Sequence, residues 1–164
     1  MAEFRPNEIL GAFDRHGVRY VLIGGYAAVM HGSNSATFDV DVTPEDDRAN
    51  LERLSLALTE LEAKIRTTGE PGGVRFEHDG RSLGAVRVWN LTTKYGDLDI
   101  SFEPSGTTGY KDLARDATRL TIDGVDIPVA SLADVVRSKE AAGRPKDQLT
   151  LPTLRRMLEE GRPT

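Results

Sequence analysis

Residues 36–42 read Ala-Thr-Phe-Asp-Val-Asp-Val, an apolar strand pattern broken by two carboxylates, Asp39 and Asp41. On a strand, residues i and i+2 point to the same face, so the two acids stand roughly 7 Å apart by strand rise alone. Like charges that close repel, and one takes up a proton unless something positive lies between them. A chain with this pattern has to fold so that a cation meets the shared face.

The residues before the pair suggest what that cation serves. A buried strand is expected over Val18–Ile23, followed by a Gly24–Gly25 turn and a short helix through "YAAVMHG". Glycine lets backbone approach an anion closely, and a helix N-terminus offers free N–H groups, so this order suits phosphate. It is neither a P-loop nor a GxGxxG fingerprint. Magnesium, a hard cation, takes one or two carboxylates together with phosphate oxygens. A further acid stands in "YGDLDIS", where Asp99 lies between Leu98 and Ile100 as Asp41 lies between valines. Asp97 shares that face on a strand but adjoins the Gly96 turn, so Asp99 is preferred.

Other segments divide readily. Residues 4–16 read as a first helix ended by Gly17, with Ile9, Leu10 and Phe13 on its apolar face. A strand is expected over Ala36–Val42, then Thr43 as the cap of a helix from Pro44 to about Ala63. Strands are expected at Val74–His78, Gly84–Thr92 and residues 95–102, and a short helix at "YKDLARDA". A hairpin should turn at Asp123–Gly124, and a helix capped by Ser131 should end at Gly143. The last helix is expected from about Leu151 to Glu160. The 164 residues suit one domain, with a core at about 18–104 and a C-terminal hairpin and helices at about 110–160.

Composition removes several classes. There is no cysteine, which excludes disulfides and thiol chemistry and fits a cytoplasmic protein. The three histidines are scattered, so a histidine zinc site is not expected. No apolar run is long enough to span a bilayer and no signal peptide is visible, so no membrane partner is expected. The net charge is −5, but it is uneven. Residues 1–104 hold 11 basic and 17 acidic side chains, whereas residues 105–164 hold 10 and 9. Four cations fall in "RSKEAAGRPK", which includes Lys139, Arg144 and Lys146. A metal on one side of a cleft and polyphosphate on the other would suit this distribution.

"GGYAAVMHG…SATFDVDV", with a later acid, resembles the signature of the nucleotidyltransferase superfamily with the polymerase-β-like core. In detail it resembles the AbiEii-like bacterial nucleotidyltransferases, as does "VASLADVVRSKEAAGRPKDQLTLPTL". The resemblance covers roughly residues 18–155. It implies an α/β (α+β) fold with a mixed sheet flanked by helices and further helices at the C-terminus. It implies transfer of a nucleoside monophosphate from an NTP, ATP among them, to a hydroxyl with release of pyrophosphate. Asp39, Asp41 and Asp99 would bind two magnesium ions, Asp99 also helping to deprotonate the acceptor. Gly24, Gly25, Thr37, Lys139, Arg144 and Lys146 would hold the nucleotide. The acceptor it implies first is tRNA or another RNA, in a toxin–antitoxin system with a cognate protein partner. Small-molecule, antibiotic-like acceptors and proteins are the enzymatic alternatives, and DNA is not expected. Ser35 stands where relatives often carry Arg, so a non-catalytic nucleotide-binding regulator is a further alternative.

Three conspicuous residues have plain structural readings. His31 at a helix end is expected to bond that helix's last carbonyls, Trp89 to pack in the core, and Asp147 to start a helix or form an ion pair.

Overall fold

Alternation along the aspartate strand organises the sheet. In β2 (Asp39–Pro44), Val40 and Val42 are fully buried while Asp39 and Asp41 face the other way, half-buried. This computed structural model describes residues 2–161. Before β2 come α1 (Pro6–Arg15), β1 (Tyr20–Ile23) and α2 (Gly24–Met30). After it come α3 (Arg48–Glu60), β3 (Lys64–Ile65), α4 (Gly80–Ala85), β4 (Val88–Thr93) and β5 (Gly96–Ser101). The chain continues through α5 (Tyr110–Arg115), β6 (Thr118–Ile122), β7 (Val125–Val129), α6 (Leu132–Ala142) and α7 (Pro145–Glu160). The strands form one mixed sheet in the order β3-β4-β5-β2-β1-β7-β6, the α/β architecture expected. β2 runs antiparallel to β1 and parallel to β5.

The core lies between sheet and helices. Ile9, Leu10 and Phe13 of α1 are fully buried, as are Leu54 and Leu58 of α3. α2 and α6 pack together beside the face that carries Asp39 and Asp41. Asn50, also fully buried, joins α3 to the ends of the β1–β2 pair. Its Oδ1 accepts from the Arg19 N–H at 2.7 Å, and its Nδ2 donates to the carbonyls of Arg19 at 2.9 Å and Glu45 at 2.8 Å. Among the described residues no helix is long and apolar enough to cross a membrane.

Several boundaries differ from expectation for local reasons. Thr43 and Pro44 do not start a helix; they continue β2 opposite Val21 and Tyr20. The cap is Asp47, whose side chain accepts from the Asn50 N–H at 2.8 Å. Val74–His78 is not a strand beyond one bridge between Val74 and Ile65. The apolar run from Gly84 begins inside α4, because Asp79 and Ser82 close a capping box there. The last helix starts at Pro145 rather than near Leu151, with Pro152 inside it and Asp147 in its first turn. The hairpin turns as expected, with Asp123 and Gly124 both at positive φ (51° and 78°). α6 likewise has Ser131 as its cap and a left-handed Gly143 at its end.

Candidate active site

Parallel pairing of β2 with β5 sets Asp39 opposite Asp97 and Asp41 opposite Asp99. Four carboxylates therefore share one face of two adjacent strands. Asp39, Asp41 and Asp99 each bring a carboxylate oxygen within 4.8 Å of the others. Asp97 is outside this cluster and turns toward Arg66, 3.4 Å away.

Arg66 was not marked by the sequence. It follows the two-residue strand β3 and sends Nη2 to Asp99 Oδ1 at 2.7 Å, while its Nη1 donates to the Leu91 carbonyl at 3.0 Å. The contact spans 33 residues, and no local pattern announces it.

Burial, then repulsion from Asp39 and Asp99, pushes the Asp41 carboxyl up to about 7, against the pull of Lys146 and Arg144. Asp99 is also raised, by burial and its hydrogen bond with Asp39, with Arg66 opposing. Carboxylates crowded so closely that burial and mutual repulsion raise two of them fit a hard divalent cation such as magnesium.

The glycines shape the same space. They do not form a separate turn but open α2. Gly24 has φ +73°, and a Cβ there would strike the Asp41 carboxylate, 2.9 Å from its Cγ. A Cβ at Gly25 would meet Thr37 Oγ1 at 3.0 Å. Displacing a reacting group by about 1 Å can cost roughly 100-fold in rate. We expect Gly24→Ala to lower turnover by that order while the variant still unfolds cooperatively, as read by initial rates and circular dichroism. Turnover within about threefold of wild type would show that the close approach of Gly24 and Asp41 is dispensable.

Lys139, Arg144 and Lys146 line the same cleft of about 660 Å³ as the carboxylates, Gly24, Gly25 and Thr37. Thr37 Oγ1 lies 3.4 Å from Asp39 Oδ1. Ser35 is exposed on the cleft lining. Asp147, fully buried, takes Arg144 Nε at 2.8 Å and Lys139 Nζ at 3.4 Å, so it is both ion-pair and helix-start residue. His31 differs from expectation in its partner. Its Nε2 lies 2.7 Å from the Ala130 carbonyl after β7, not on its own helix's carbonyls. Trp89 stacks on Phe76 at 5.5 Å and donates to the Leu83 carbonyl at 2.9 Å, a packing role.

Residues 7–151 match the sequence profile described as aminoglycoside-2''-adenylyltransferase. Comparison with curated proteins finds no match. Among solved structures, the lincosamide antibiotic adenylyltransferase LnuA, lincomycin-bound, is 19% identical with a TM-score of 0.60, over 93% of this chain and 95% of that one. ANT(2'')-Ia, in complex with adenylyl-2''-tobramycin, is 13% identical with a TM-score of 0.56, over 91% and 84%. A nucleotidyltransferase-like protein from Paracoccidioides brasiliensis is 16% identical with a TM-score of 0.53, over 99% and 81%. At these identities the likeness is one of fold.

Proposed function

The chain belongs to the aminoglycoside-2''-adenylyltransferase family and is a nucleotidyltransferase, and from that premise we propose that it moves the adenylyl group of ATP onto a hydroxyl of a small, amine-bearing antibiotic. The observation that carries this reading is one cleft with carboxylates on two strands, cations on α6 and α7, and close-packed glycines between. Family membership reverses the order expected from sequence, in which RNA came first and antibiotic-like acceptors second. The toxin–antitoxin setting finds no support in the family or in the solved structures.

In this reading Asp39, Asp41 and Asp99 would hold divalent metal. Bound there, the metal would polarise the α-phosphate and stabilise charge on departing pyrophosphate. Backbone N–H groups at Gly24 and Gly25 take the phosphates, and Lys139, Arg144 and Lys146 balance their charge. Asp99, held from behind by Arg66, accepts the proton of the attacking hydroxyl as its oxygen bonds to the α-phosphorus. The bond from that phosphorus to the bridging oxygen breaks, and pyrophosphate leaves with the electron pair.

Incubation with α-labelled ATP and magnesium tests this, with tobramycin, lincomycin and total RNA in separate arms. Label is expected on a small-molecule acceptor, with pyrophosphate released in equal amount. Label on RNA alone would restore the RNA reading. ATP binding without transfer to any acceptor would favour the non-catalytic regulator.

A further inference from the structure

Four carboxylates share one face of β2 and β5, yet only three of them converge. Asp97 stands opposite Asp39 and two residues from Asp99, so strand register alone would admit it to the cluster. Arg66 accounts for its exclusion. The guanidinium reaches both acids of β5, with Nη2 2.7 Å from Asp99 Oδ1 and Nη1 3.4 Å from Asp97 Oδ2. Among the described residues, no other cationic side chain lies within ion-pair distance of Asp39, Asp41, Asp97 or Asp99.

Arg66 is built into the sheet edge rather than laid on the surface. Its backbone N–H donates to the Asn90 carbonyl at 2.9 Å, and its Nη1 donates to the Leu91 carbonyl at 3.0 Å. Two hydrogen bonds between Ile65 and Val74, at 2.9 and 2.8 Å, close the chain that follows back onto β3. The fork is therefore aimed before anything binds. A carboxylate with one oxygen bonded to a fixed guanidinium is less free to close on a metal with both. Asp99 is left as a one-oxygen ligand, and Asp97 is drawn aside.

Ligand number and flexibility separate the two common hard cations. Calcium takes about six to eight oxygens, with carboxylates bound through one or both, whereas magnesium takes one or two carboxylates and keeps several waters. We propose that Arg66 determines the selectivity of the metal site. By holding Asp99 to one oxygen and Asp97 outside, it keeps the site too poor in oxygens for calcium. This role rests on the reading of Asp39, Asp41 and Asp99 as metal ligands.

Calorimetry of the full chain without nucleotide, titrated with magnesium chloride or calcium chloride, tests it. Arg66→Ala should improve calcium affinity relative to magnesium by about tenfold. Adding Asp97→Asn to that variant should reverse most of the gain, because Asp97 supplies the released oxygens. Arg66→Lys keeps the charge without the fork and should shift the ratio the same way by less. It keeps the test interpretable should Arg66→Ala fold poorly. Equal strengthening of both ions would overturn the proposal, because Arg66 would then act only as a nearby charge. An unchanged ratio in both Arg66 variants would overturn it as well. If wild type binds neither ion, the metal reading itself fails, and this one with it.

Discussion

Asp41→Asn is expected to remove transfer activity, by a factor on the order of 10³, while making the metal-free protein more stable. Both effects have one cause. Asp41 shares a strand face with Asp39 and lies opposite Asp99, and its carboxyl is pushed up to about 7 by burial and those neighbours. The unfolded chain releases the same proton near pH 4. Between about pH 4 and 7 the folded protein therefore carries a proton the unfolded chain has lost, and stability falls as pH rises. In chelator, Asp41 alone should cost wild type about 2 kcal/mol between pH 5 and pH 8, and the asparagine variant should keep only the smaller fall that Asp99 contributes. Millimolar magnesium should restore wild type at pH 8 and do much less for the variant. Urea unfolding at the two pH values, beside initial rates, measures all of this. An active Asp41→Asn enzyme, or a variant less stable than wild type at pH 8, would refute the role given to this carboxylate.

Asp147→Ala should be the most damaging single change away from the carboxylates. Asp147 is fully buried, and its two oxygens serve Arg144 and Lys139, both of which line the cleft. Burial alone would raise its carboxyl, yet the Arg144 and Lys139 charges hold it below the ordinary value. Its stabilisation is thus present above about pH 4 and lost as acid protonates it. Removing the carboxylate leaves two cations without their partner and breaks the first turn of α7, at a cost of roughly 3 kcal/mol. ATP affinity should fall by about tenfold as the freed side chains lose their aim. Chemical denaturation and calorimetry report the two losses separately. A variant within about 0.5 kcal/mol of wild type would show that the pairs are incidental.

Much of this site could be read along the chain because its parts are locally patterned. Asp39 and Asp41 are visible from alternation, Gly24 and Gly25 from their place after a strand, and Asp147 from its helix-start context. Thr43 belongs to a strand rather than a helix cap, and the last helix starts before Leu151, because the deciding partners lie elsewhere: Val21 across the sheet for one, the Pro145–Asp147 start for the other. His31 lies against a carbonyl, as expected at a helix end, but that carbonyl is Ala130, 99 residues away, and not one of its own helix.

By itself the sequence determined which strands carry acids, which residues open and close most helices, and which side chains carry positive charge. These follow from periods of two and 3.6 residues and from caps, all within a few residues of one another. Only the tertiary structure decided that β5 lies parallel beside β2, so that Asp99 meets Asp41, and that Arg66, just after edge strand β3, reaches Asp99 and Asp97. It also decided that a Gly24 Cβ would occupy the space of the Asp41 carboxylate, and that Arg137 ties Asp134 to α5. Strand order and side-chain approach are set by burying the whole core at once, a condition that no local window of residues contains.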